Sequence, residues 1–195
     1  MRRRFAALGA IMLAATLSVA VPREAQATVV VPLSREELAA QSDFVVRATV
    51  LSRRSAWNDD HTQIMSWTRV RVSEYLKGGG AQELVIRQIG GEVDGIASAI
   101  PGDGRLVVGQ HAVLFLRRGE GVVFLTALAQ SVFYVAMTPE GAPVVRRELG
   151  GLTFARWVNG RMTAFEPPAE AAEGLDLFVR GLRVIVATTN AGRAR

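Results

Sequence analysis

From Asp43 to Phe165 the chain alternates apolar and polar residues with a period of two. Glycine, proline and Asn-Gly turns break the alternation into short runs. A period of two places successive side chains on opposite faces of a strand. Such a segment can therefore bury one face only by packing in a sheet. Asp43 to Arg53 sets Phe44, Val46, Ala48 and Val50 against Arg47 and Thr49, and is expected to be a strand. The polar stretch Trp57-Asn58-Asp59-Asp60-His61 is expected to turn it into a second strand over about 63–75, where Val70 and Val72 alternate with Arg69 and Arg71. Lys77-Gly78-Gly79-Gly80 ends that strand, and Glu83 to Ile89 supplies a third.

Gly90 to Gly109 reads as a glycine-punctuated surface excursion with a short strand. Two hairpins follow, His111–Arg117 with Val122–Leu125 and Val132–Met137 with Val144–Glu148. Asn159-Gly160, between Arg156-Trp157-Val158 and Arg161-Met162-Thr163, is the strongest two-residue hairpin signal in the chain. Helices are expected only near the ends. Ser34-Arg35-Glu36-Glu37 is a capping box, with Leu33 and Leu38 positioned as a hydrophobic staple, so a short helix should run through Gln41. After the linker Pro167-Pro168-Ala169-Glu170, Leu175, Phe178, Val179, Leu182, Ile185 and Val186 fall at helical spacing and predict a C-terminal amphipathic helix. Short strands, frequent turns and terminal helices together point to a mainly β protein built on a small closed barrel.

The first 27 residues do not share this pattern. Met1-Arg2-Arg3-Arg4 is a positive start, Phe5 to Val21 is uncharged and apolar, and Ala25-Gln26-Ala27 is a cleavage-site pattern. A signal peptide over 1–27 is expected, with a mature start at Thr28 and a periplasmic or extracellular destination. The rival reading is an uncleaved anchor, against which the short apolar length and the break at Pro22-Arg23-Glu24 both argue. Cleavage removes Arg2, Arg3, Arg4 and Arg23 with Glu24, lowering the formal net charge from +5 to +2. With that small residual charge and export, a nucleic-acid partner loses its main support. There is no cysteine, so neither lipidation nor disulfides are available. A core must hold the fold, and a chain of this length buries about 70% of its surface on folding. With 19 glycines and 7 prolines in 195 residues, disorder and collagen readings are excluded as well.

No catalytic constellation is legible. Asp59, Asp60 and His61 are possible metal ligands in type but read as a solvated loop tip, and His111 reads as a partly buried edge histidine. Glu92 and Asp94, among Gly90, Gly91 and Gly95, read as turn formers rather than an acid–base pair. Trp67, Arg69 and Arg71 share a strand face that suits either nucleic acid or plain solvent. No enzyme activity, metal or cofactor is expected. A hydrolase using Asp59, Asp60, Glu92 or Asp94 ranks last, because none has a nucleophile or orienting partner at readable spacing.

Four stretches share their order with a known family. They are Val31-Pro32 in an extended start, Ser42-Asp43-Phe44-Val45-Val46-Arg47-Ala48, Arg69-Val70-Arg71-Val72-Ser73-Glu74-Tyr75-Leu76-Lys77-Gly78, and Leu106-Val107-Val108-Gly109 before a hairpin. Over roughly 28–137 the chain resembles the netrin-like module of the tissue inhibitors of metalloproteinases, in a cysteine-free exported form. The resemblance implies an OB-type barrel at 28–137. Additional hairpins at 138–166 and a linker with helix at 167–195 complete the expected organisation.

The resemblance also implies a non-enzymatic module that binds a secreted zinc metalloprotease through its mature N-terminus. Thr28 would chelate the protease's zinc through its α-amino group and carbonyl, Val29 would fill the specificity pocket, and Val30, Val31 and Pro32 would complete the contact. Thr28 stands where the family has a cysteine whose disulfide pins the segment to the barrel. The alternative function is a structural component of the envelope or extracellular matrix with a protein partner. No membrane association is expected once the signal is removed.

Overall fold

The computed structural model describes residues 28–168 and 170–193. The expected signal peptide lies outside them. In chain order the elements are β1 (Thr28–Val30), α1 (Arg35–Gln41), β2 (Phe44–Trp57), β3 (Ile64–Lys77), β4 (Glu83–Val93), β5 (Ile96–Ala99), β6 (His111–Arg118), β7 (Val123–Leu125), β8 (Val132–Met137), β9 (Pro143–Arg146), β10 (Leu152–Val158), β11 (Arg161–Phe165), β12 (Glu173–Gly174) and α2 (Leu175–Arg193).

The fold is mainly β and contains a closed five-stranded barrel. Antiparallel pairing joins β2 to β3, β3 to β4, β7 to β6 and β6 back to β2. The circuit closes where β4 meets β7 in parallel, at Ile86 opposite Val123. Strand order β2-β3-β4-β7-β6 around the ring is that of a small OB-type barrel. Register shifts in β2 at Val45/Val46, Arg47/Ala48 and Val50/Ser52 let this long strand bend around the ring.

Alternation in β2 and β3 decides what lies inside. Val46, Ala48, Val50, Val70 and Val72 point into the barrel with Ile86, Leu114 and Leu116, while Arg69 and Arg71 stay exposed. The run Ala112-Val113-Leu114-Phe115-Leu116 in β6 is apolar at every position because it is buried on both sides. Its even positions face the barrel interior. Val113 and Phe115 face a second core with Leu38, Val45, Phe133, Leu175, Phe178 and Leu182. Both helices therefore pack on one outer flank of the barrel. Ser34 and Glu37 form the reciprocal capping box, with Glu37 N–H donating to Ser34 Oγ at 3.1 Å and Ser34 N–H to Glu37 Oε2 at 2.8 Å. Glu74 ties α2 to the barrel by accepting from Arg183 at 2.5 Å and Arg47 at 3.3 Å.

The chain's one lysine, Lys77, is 7% exposed and closes the open end of α1. Its Nζ donates to the carbonyls of Ala39 and Ser42 at 2.6 and 2.7 Å. Gly78 beside it has φ 73°, and a Cβ there would fall 2.6 Å from the Asp43 carbonyl oxygen. The Lys-Gly end of β3 is thus fitted to the start of β2.

β8 and β9 extend the barrel sheet outward from β6, and β12 adds to β9. β1, β10 and β11 form a separate three-stranded sheet. The hairpin β10–β11 turns at Asn159-Gly160 with Asn159 at φ 50°, as a two-residue turn requires. Trp57, expected in a turn, instead ends β2 opposite Ile64. The turn begins at Asn58, whose Oδ1 accepts from the Thr62 and Gln63 amides.

Candidate functional site

The segment Thr28–Val30 forms a strand. Thr28, Val29 and Val30 pair in parallel with Leu152, Thr153 and Phe154. The Thr28 backbone N–H donates to the Gly151 carbonyl at 3.2 Å, and its hydroxyl donates to the Pro101 carbonyl at 2.6 Å. Gln130 holds the next stretch from beneath, donating to the Val31 carbonyl at 3.2 Å and accepting from the Leu33 amide at 2.8 Å. Backbone pairing and a buried glutamine so anchor this segment.

The segment is fixed, yet its apolar side chains are presented outward. Val29 is 61% exposed and Val31 51%, and Pro32 is exposed as well. Val29 lies opposite Thr153, and Trp157 opposite Met162 falls in the same phase of β10. Val29, Trp157 and Met162 therefore stand on one sheet face, with Trp157 69% exposed. A large apolar face left in water is the less common and more informative arrangement on a protein surface.

The other sequence candidates remain apart. His61 is exposed at φ 52° and stacks on Trp57 with ring centroids 6.5 Å apart, and its Nδ1 is 3.4 Å from the Asp59 carbonyl. Among the described residues no group of three or more His, Asp or Glu side chains is placed to hold a metal. Glu92 and Asp94 lie at the β4–β5 hairpin, where Asp94 takes a turn conformation at φ 52°. His111 is exposed rather than partly buried, because it opens β6 at the barrel rim, where its Nδ1 is 2.9 Å from Thr49 Oγ1. Trp67 carries the Arg54 guanidinium over its ring at 4.7 Å, and Glu83 pairs with both Arg69 and Arg71. On that face one carboxylate stands against the guanidiniums of Arg54, Arg69 and Arg71, so a net positive charge remains. No helix among the described residues is long and apolar enough to cross a membrane.

A second site was not read from the sequence. One end of the barrel interior is polar. Ser66, Thr68 and Gln88 occupy the inward phase of β3 and β4 and are 0%, 0% and 8% exposed. This end opens into a groove of about 620 Å³ between β4, β5, the end of β2 and the loop at Asp103 to Arg105. Gln88 donates through Nε2 to Asp103 Oδ2 at 2.9 Å and to the Gly104 carbonyl at 2.8 Å. Asp103 Oδ1 accepts from the Gly104 amide at 2.8 Å. Burial pushes the Asp103 carboxyl above its ordinary value. Its hydrogen bonds from Gly104 and Gln88 and the charge of Arg53 only partly oppose that.

On the opposite wall Arg53 donates to Ser66 Oγ at 3.1 Å, and Ser66 donates to the Gly90 carbonyl at 2.5 Å. A Cβ on Gly91 would fall 2.5 Å from Ser66 Oγ, so only glycine lets β4 lie this close to the serines. Tyr134 clamps the backbone of Arg105, its hydroxyl donating to the carbonyl at 2.9 Å and accepting from the amide at 3.1 Å. The available signal was the inward phase itself. Gln88 follows Ile86 by two residues, so alternation already sent an uncharged polar side chain into the barrel.

No protein-family model matches this chain, and no curated protein matches it either.

Proposed function

We propose that the protein is an exported, non-enzymatic binding module that engages a protein partner through its N-terminal strand. The observation that carries this reading is the combination of a tethered β1 with outward Val29 and Val31, in a sheet that also carries exposed Trp157 and Met162. Binding a preordered apolar strand avoids most of the entropy lost when a floppy terminus is fixed. Large aromatic and apolar anchors of this kind dominate interface energetics.

The sharpest form of the proposal is inhibition of a secreted zinc metalloprotease, as the netrin-like resemblance suggests. Cleavage after Ala27 would turn the Thr28 nitrogen into an amine. An amine keeps a proton for the Gly151 carbonyl and presents a lone pair to the zinc of a partner. Val29, the next side chain and 61% exposed, would enter the specificity pocket, with Val30, Val31 and Pro32 along its rim. This reading needs no cofactor in the protein itself, no nucleic acid and no membrane contact after signal cleavage. It places the protein in the periplasm or the medium.

The test is a titration of the chain beginning at Thr28 against a panel of secreted zinc endopeptidases, beside the same protein with its α-amino group acetylated. Inhibition that acetylation abolishes and Val29→Asp weakens supports chelation. Inhibition by neither form, with binding instead to cell-wall or outer-membrane fractions, would move the function to a structural role in the envelope. The apolar hairpin β10–β11 would then make the contacts.

A further inference from the structure

The groove at the polar end of the barrel is built at a cost to the fold. Gln88 is nine-tenths buried and gives both amide hydrogens to Asp103 and Gly104, which leaves its Oε1 as a buried acceptor without a partner among the described residues. An orphaned buried acceptor and a half-buried carboxylate each lower stability, and natural cores rarely keep either without use. What they achieve here is a fixed Asp103. One carboxylate oxygen is held by a side chain and the other by a backbone amide, with lone pairs to spare on both.

The groove's charges balance. Arg53 and Arg105 line it with Asp103 and Glu92, so a simple anion or a simple cation would meet like charge as well as opposite charge. A ligand carrying both signs at short separation meets neither penalty. Ile89 and Ile100 add apolar surface at 42% and 37% exposure, and the lining has no aromatic ring on which a nucleobase or sugar would stack. The volume of about 620 Å³ lies within the ordinary range for small-ligand sites.

We infer that this groove binds a small zwitterion of the α-amino-acid class with an aliphatic side chain. Its ammonium group sits on Asp103, its carboxylate on Arg53 and Arg105, and its side chain against Ile89 and Ile100. The groove is lined by no residue of the N-terminal strand, though the Thr28 hydroxyl holds the adjoining Pro101 carbonyl, and it does not depend on any protease being inhibited.

The test is calorimetric titration of the purified protein with three probes: L-leucine, N-acetyl-L-leucine, which lacks the ammonium, and L-leucinamide, which lacks the carboxylate. Leucine should bind saturably at about 1 mM or below, with each blocked probe at least about tenfold weaker. Asp103→Asn and Arg53→Gln should each lose about tenfold for leucine. Arg53→Gln serves alone should Asp103→Asn fail to fold, since Arg53 is exposed. No saturable binding of leucine up to about 10 mM overturns the inference. So does equal affinity for the three probes, or undiminished leucine affinity in folded Arg53→Gln.

Discussion

Lys77 Nζ lies 2.6 Å from the carbonyl oxygen of Ala39, so the end of a barrel strand caps the last turn of the helix that precedes the barrel. The same ammonium reaches the Ser42 carbonyl at 2.7 Å. These hydrogen bonds join the start of β2, the end of β3 and α1 around one buried donor. Lys77→Met keeps the stem's bulk but leaves both carbonyls unsatisfied, each at about 1–3 kcal/mol. A loss of about 2–4 kcal/mol in urea unfolding is expected. Unchanged stability would show that water replaces the ammonium at no cost.

Phe178 joins the C-terminal helix to the barrel flank. It is fully buried, its ring lies 4.7 Å from that of Phe133, and the Arg35 guanidinium sits 4.5 Å above it. Phe178→Ala opens a cavity that neighbours on α1, β8 and β6 cannot fill together, and should cost about 3–5 kcal/mol. Calorimetric melting should remain a single transition, because α2 shares its core with α1 and the outer face of the barrel.

Local chemistry made much of this fold legible. The capping box at Ser34, the Asn159-Gly160 turn and the alternation of Val70 and Val72 with Arg69 and Arg71 each act within a few residues, and each stands where its spacing predicts. Pairings that depend on distant parts of the chain were not legible. Nothing within Thr28–Val30 names Leu152–Phe154 as its partner, and three residues are too few for a pattern to select one. Lys77 read only as the end of a strand, and nothing near it in sequence signals that the approach of α1 buries it. The groove draws on β2, β4, β5 and a loop, so its walls come from stretches separated in sequence and meet only in the fold.

The Thr28 hydroxyl tests how firmly the N-terminal strand is held. Its bond to the Pro101 carbonyl at 2.6 Å joins β1 to the loop that follows β5. Thr28→Val removes the donor while keeping a β-branched shape suited to a strand. A local loss of about 0.5–1.5 kcal/mol is expected, with global stability little changed. It should appear as faster amide exchange at Val29 and Val30 than in the unaltered protein. Equal exchange would mean that the pairing with β10 alone fixes the strand.

Asp103 makes stability depend on pH in the direction opposite to most paired carboxylates. Burial raises its native value above the ordinary 3.8, so just above that pH the native chain binds more protons than the unfolded one. In this window stability falls as pH rises. Below it both states are protonated and the penalty vanishes, and above the native value the full penalty persists. Asp103→Asn has no such titration, so the unaltered protein should lose stability relative to the variant as pH rises through the range above about 4. Urea unfolding of both proteins at a series of pH values measures the difference, and carbon-detected NMR of the Asp103 carboxyl measures the midpoint directly. A midpoint at or below 3.8, or a stability difference that does not move with pH, would show that its hydrogen bonds from Gly104 and Gln88 and the charge of Arg53 outweigh burial.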